Sequence, residues 1–183
     1  MEVVLLSLLF VMYLTIRYFL MDHDTSADKD RKRFQKGIDL VEKRQFTEAH
    51  QYFDEIIRQY PKSALAYALR GKCQLVEENY FSAIYDLTQA INRDNTLADC
   101  YLDRGIAYYY TNEYQQAFRE FDKAVWHFRD EKPDAYRWRA LARIQVRQLP
   151  QAENDLRRAV SLGDENSFHL LLQPPFTRPV FQK

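Results

Sequence analysis

Two hydrophobic rhythms divide the chain. From Val3 to Ile16 nearly every position is apolar, and after Arg17 the run resumes as Tyr18–Met21. From about Asp30 onward, apolar residues recur three and four apart instead. They fall in paired blocks separated by short turns at Arg44–Phe46, Asn79–Tyr80 and Asn112–Tyr114. That period predicts amphipathic helices joined into hairpins. Four Gly and six Pro in 183 residues are few for an all-β domain with its many turns.

The first block predicts a helix of a different kind. Val3 to Leu20 would span ~27 Å at 1.5 Å per residue, close to a bilayer core of roughly 30 Å. Apolar residues surround it on all sides, unlike a one-faced core helix. Arg17 near its end has a stem long enough to snorkel, with Tyr13, Tyr18 and Phe19 toward the same interface. The competing reading is a cleaved signal peptide. It lacks support: the chain opens Met1-Glu2, and no small-residue cleavage pattern follows in Asp22–Asp30. The expectation is an uncleaved transmembrane anchor over 1–21 and a linker over 22–29. Arg17, Lys29, Arg31, Lys32 and Arg33 follow the run, which places the rest of the chain on the cytoplasmic side of a single-pass membrane protein.

The second rhythm is a repeat. Gly37, Gly71 and Gly105 are 34 apart, as are Ala49, Ala83 and Ala117. Phe53, Leu87 and Phe121 follow at the same interval, then Ile56, Ala90 and Ala124. After one extra residue at Lys132, a fourth copy carries Ala140, Ala152, Leu156 and Ala159 at the same offsets. Tyr67, Tyr101 and Tyr136 open copies two to four at their fourth position. This phased pattern over 30–166 resembles the tetratricopeptide repeat (TPR) family. The resemblance implies an all-α, right-handed α-solenoid of four helix hairpins, 30–63, 64–97, 98–131 and 133–166, here preceded by the transmembrane helix. Segment 167–183 is expected to hold a capping helix near Asn166–Leu172, with Phe168, Leu171 and Leu172 on the last repeat, and an extended tail.

Arg70, Arg104 and Arg139 share position seven of their copies, and Asp86, Glu120 and Asp155 follow each by sixteen residues. Facing helices of one hairpin would bring each pair together as an ion pair. Copy one has Lys36 and Tyr52 instead. The alternative is a phosphate-binding stripe of Arg139, Arg143 and Arg147.

The resemblance also implies a concave face lined by the first helix of each copy. Its protein-binding candidates are Phe34, Ile38, Leu65, Leu69, Lys72, Leu102, Ile106, Tyr109, Tyr110, Arg137, Trp138 and Leu141. Such an apolar and aromatic lining suits an interaction surface, although some of these positions serve equally as packing between neighbouring first helices. The residues with which chaperone-tail receptors of this family grip a carboxylate are not present. In one register those positions hold Phe34, Ile38, Leu69, Asp99 and Asp103, and in the next Ala68, Lys72, Asp103, Asp134 and Trp138.

Composition removes other classes. Twenty-six basic and twenty-six acidic side chains balance, so no overall field draws nucleic acid. Cys73 and Cys100 form no CxxC and the four His are scattered, which argues against a metal site and for two buried thiols. No P-loop, catalytic triad or paired carboxylates stand out. The chain is thus expected to be no enzyme and to need no cofactor, no nucleic acid and no small-molecule substrate. It reads as a membrane-tethered adaptor or scaffold holding a protein partner at the cytoplasmic face. The alternatives are a structural accessory subunit of a membrane protein complex, and an envelope chaperone with its repeats outside the cytoplasm.

Overall fold

The computed structural model describes residues 2–20 and 26–177, and all regular structure among them is helical. Helix α1 (Glu2–Leu20) is followed by α2 (Ser26–Arg33), α3 (Gln35–Glu42), α4 (Phe46–Gln59), α5 (Ala64–Val76) and α6 (Tyr80–Arg93). Then come α7 (Ala98–Tyr110), α8 (Tyr114–Phe128), α9 (Pro133–Gln145), α10 (Leu149–Ser161) and α11 (Glu165–Leu171). The helix after α1 resumes at Ser26, inside the stretch expected to be linker. It is broken at Phe34, so α2 and α3 together form the first helix of copy one.

Among the described residues no helix is long and apolar enough to cross a membrane. This corrects the expected transmembrane helix, the single-pass membrane location and the cytoplasmic placement derived from it. The physical reason lies in α1 itself. Glu2 opens it and Arg17 stands in its last turn. The uncharged run between them, Val3–Ile16, is only ~21 Å long at 1.5 Å per residue, well short of a bilayer core. Side chains from Leu9 to Leu14 and Ile16 are exposed.

The remaining helices pack as successive neighbours: α3 on α4, α4 on α5, and so on to α10 on α11. The first helices of the copies, α3, α5, α7 and α9, also touch one another in turn, whereas the second helices α4, α6, α8 and α10 share no comparable contacts among the described residues. That asymmetry makes a solenoid with the first helices on its inner side.

Close approach within each hairpin rests on small residues. A Cβ added at Gly105 would meet Phe121 at 2.6 Å, and one at Gly37 would meet Tyr52 at 2.4 Å. Ala49, Ala83, Ala117 and Ala152 are fully buried opposite them. Each hairpin turns through one left-handed residue at the same repeat position: Arg44, Glu78, Asn112 and Arg147, with φ of 59, 62, 63 and 62°. The residue after it donates its backbone N–H five residues back, as in Asn79 to Gln74 at 2.8 Å and Gln148 to Arg143 at 2.9 Å. This is the Schellman closure of a helix end.

The expected ion pairs form. Arg70 bonds Asp86 at 2.7 and 2.8 Å, Arg104 bonds Glu120 at 3.0 and 2.5 Å, and Arg139 bonds Asp155 at 3.0 and 2.7 Å. Each Arg also reaches the preceding copy, at Asp54, Thr88 or Asp122, over 2.6, 2.9 and 2.7 Å. The guanidinium is therefore a bridge between repeats as well as within one. In copy one, Lys36 lies 5.9 Å from the centre of the Tyr52 ring, so a cation–π contact stands in for the pair. Arg139 and Arg143 both donate to Asp155, which commits two members of the alternative phosphate stripe.

Of the expected cap residues only Leu171 packs on the last repeat. Leu170, Leu171 and Phe176 cover Ala140, Ala152 and Leu156, while Phe168 and Leu172 are exposed. Asp164 starts α11 by accepting from the Ser167 N–H at 2.9 Å. The far part of the expected tail, with Val180 and Phe181, lies outside the described residues.

Candidate protein-binding groove

The inner face starts from the register of the first helices. Residues six, twelve and thirteen of a copy point away from the second helix of their own hairpin, so their side chains meet neighbouring copies or solvent. In copies three and four these positions hold Asp103, Tyr109 and Tyr110 on α7, and Trp138, Ile144 and Gln145 on α9. The aromatics among them gather. The Trp138 ring lies 5.7 Å from Tyr109, 6.1 Å from Tyr110 and 6.0 Å from Phe121 in the core. Tyr114 joins Tyr109 at 5.4 Å. Tyr80, from the start of α6, stacks on Tyr110 at 5.1 Å and 10°. Gln145 donates to the Tyr109 hydroxyl at 3.3 Å. The cluster thus joins copies two, three and four, its lower rings rooted in the core and its upper edge open, with Tyr110 51% exposed.

Of the other candidates, Ile38, Leu69, Lys72, Ile106 and Leu141 are half-buried along the same face. Phe34, Leu65 and Leu102 are not groove residues. They are at most 9% exposed and belong to the packing between successive helices, Phe34 lying 5.6 Å from Tyr60. Arg137 is committed as well: it pairs with Asp164 and so ties α9 to the start of α11. Tyr80 and Tyr114 were missed because they stand at hairpin turns. Their shared place at the first residue of a second helix is the signal that would have found them.

Beside the aromatics lies an acidic patch. Asp99 and Asp134 sit in the first turns of α7 and α9, where unpaired backbone N–H groups favour negative charge. Lys132 pairs with Asp99. Asp103, one turn deeper and half-buried, has neither a hydrogen bond nor an ion pair among the described residues. Burial pushes its carboxyl up from 3.8 to about 6, with Asp99 and Asp134 adding to the rise and Lys72 and Lys132 opposing it. Cys73 and Cys100 are free and buried, and burial pushes the Cys73 thiol up to about 12. Neither is a ready nucleophile. Among the described residues no three or more His, Cys, Asp or Glu are grouped to hold a metal ion.

Residues 34–96 match the tetratricopeptide repeat family. That stretch is similar to tetratricopeptide repeats. The wheat (Triticum aestivum) Hsp70-Hsp90 organizing protein is 26% identical over 99 residues, 54% of this chain but only 16% of that protein's length. Among solved structures, MamA from residue 41 onward of Desulfovibrio magneticus RS-1 superposes with a TM-score of 0.64 at 19% identity, over 73% of this chain and 74% of that one. The first TPR of Spaghetti (RPAP3), bound to the HSP90 peptide SRMEEVD, superposes with a TM-score of 0.57 at 23% identity, over 60% of this chain and 88% of that one. Both structures share the TPR fold with this chain. Copies three and four extend it with the same close contacts, Gly105 on Phe121 and Ala140 beside Leu156.

Proposed function

We propose that the chain is a non-catalytic adaptor whose TPR inner face holds an extended segment of a partner protein. The observation that carries this reading is the aromatic cluster of Tyr109, Tyr110 and Trp138, drawn from two first helices and left open at Tyr110. Aromatic anchors in a rigid concave surface give large contact area at small entropic cost. The use of a TPR to seat a peptide in the RPAP3 complex supports the mode of binding.

The ligand chemistry differs from that of SRMEEVD. Where a carboxylate would be gripped, this groove presents Asp99, Asp103 and Asp134, and an acidic tail meets like charge there.

A photocrosslinking amino acid in place of Tyr110 tests the reading. Crosslinks to one partner protein should form from position 110 and not from Thr47 on the outer side of α4. Equal yields from both positions overturn it.

A further inference from the structure

The half-buried Asp103 carboxylate has no partner of its own. Its charged neighbours are Lys72 on α5, Asp99 on α7, Lys132 before α9 and Asp134 on α9. Lys132 is taken by Asp99, and Lys72 forms no ion pair with Asp103. The three acids outnumber the two lysines, so the patch carries an excess negative charge at a place where water is partly excluded. A buried charge without a counter-ion is costly, and an incoming cation removes that cost.

Two turns further along α7 stands Tyr110. Seven residues separate it from Asp103, ~10 Å along the helix axis at 1.5 Å per residue. An extended chain covers the same distance in about three residues at ~3.3 Å each. Trp138 on α9 lies against Tyr109 and Tyr110, so the ring wall stands beyond the acid along the same groove.

We propose that the groove between α7 and α9 takes an extended partner segment with a lysine or arginine about three residues from an aromatic residue, the cation on Asp103 and the ring against Tyr110 and Trp138. This rests on the adaptor reading above and specifies its ligand. Charge complementarity selects the cation, and the spacing of acid and rings along α7 sets the spacing of the motif. A cation at Asp103 gains a charge-assisted hydrogen bond, while the ring fills the open edge at Tyr110.

The test uses the full chain and three capped decapeptides on a Gly-Ser background. One carries lysine and phenylalanine three residues apart, one has glutamate for the lysine, and one has serine for the phenylalanine. By titration calorimetry the first should bind at least tenfold more tightly than either of the others. Asp103→Asn should erase the preference for lysine over glutamate and leave the melting temperature no lower. Tyr110→Ala should erase the preference for phenylalanine over serine.

Equal binding of the lysine and glutamate peptides overturns the proposal and leaves the adaptor reading standing, because the groove would still bind peptide. No binding by any of the three, with or without residues 178–183, overturns both. Binding that emerges only on deletion of residues 178–183 assigns the groove to this chain's own segment and likewise overturns the proposal.

Discussion

Glu78 illustrates what one residue contributes. It stands at φ 62° in the turn of copy two, a conformation that costs an L-residue with a Cβ roughly 1–2 kcal/mol. Asn112 fills the same place in copy three at lower cost, since Asn tolerates the left-handed region better. Glu78→Asn should therefore stabilise the fold by about 0.5–1 kcal/mol, an upward shift of roughly 1–4 °C in melting temperature. Asn112→Ala should lower it. Differential scanning calorimetry of the two variants checks both signs.

Asp103 gives a pH-dependent counterpart. Its folded pKa is raised from 3.8 to about 6 by burial, so the folded state binds the proton more tightly than the unfolded chain. Stability from this group is fully present below the unfolded value and is lost as pH rises through about 6. Asp103→Asn should raise the melting temperature at pH 7.5, and the gain should shrink steeply by pH 4 and vanish below it. A gain that persists unchanged at pH 4 would show that the carboxylate is not strained in the fold.

Asp103 also marks a limit of reading by sequence. The repeat register placed it on the inner face, but its missing partner depends on where Lys72 and Lys132 point, and that follows from packing. Phe34, Leu65 and Leu102 failed for a related reason. Register separates the two sides of a helix but does not say how closely the next helix covers the inner side.

At the scale of helices, the four hairpins solve one packing problem with matched pairs. Gly37 faces Phe53, Gly105 faces Phe121, Gly71 faces Leu87, and Ala140 shares its core with Leu156. Where the partner is Phe the small position is Gly; where it is Leu, copy four already has a methyl group. A Cβ at Gly71 would meet Leu87 at 2.9 Å, whereas at Gly105 it would meet the Phe121 ring at 2.6 Å. Leu can change rotamer more readily than a ring wedged between helices. Ala within a helix also gains up to about 1 kcal/mol over Gly. Gly71→Ala should thus cost less than Gly105→Ala, which should lose about 1–3 kcal/mol through overpacking. Urea denaturation of the two variants decides it, and equal losses would refute the pairing rule.

The hairpin pairs were legible because each repeats at a fixed interval. So were the arginine–carboxylate pairs sixteen residues apart. The second bond of each arginine, to Asp54, Thr88 or Asp122, was not, because its acceptor changes type from copy to copy and belongs to the copy before. The reading of α1 failed on length. Its composition is apolar enough, but Glu2 and Arg17 leave too short an uncharged run between them.

For the whole molecule, stability is carried by interfaces between neighbours, so each copy depends on the next and the last depends on its cap. The three arginine bridges couple copies one to four in series. Beyond copy four the series ends, and α11 must cover Ala140 and Leu156. Its seating runs through Asp164, which caps α11 at Ser167 and pairs with Arg137 on α9. Burial works against the Asp164 charge, but the bonds from Ser167 and Arg137 prevail and hold its carboxyl below the usual range. A depressed carboxyl stabilises the fold above the unfolded value near 3.8 and loses that contribution as pH falls through its folded pKa. Asp164→Ala removes a helix cap, worth about 0.5–2 kcal/mol, and leaves Arg137 without its counter-ion. The expected result is unequal across the array. Amide exchange should quicken in α9 and α10 well before it changes in α4 or α5, because only neighbours share the lost interface. The deficit relative to the unchanged chain should shrink in acid, where Asp164 is protonated in both states of the parent. Uniform acceleration along all four copies would mean that the solenoid unfolds as one unit and that the cap acts on the whole of it.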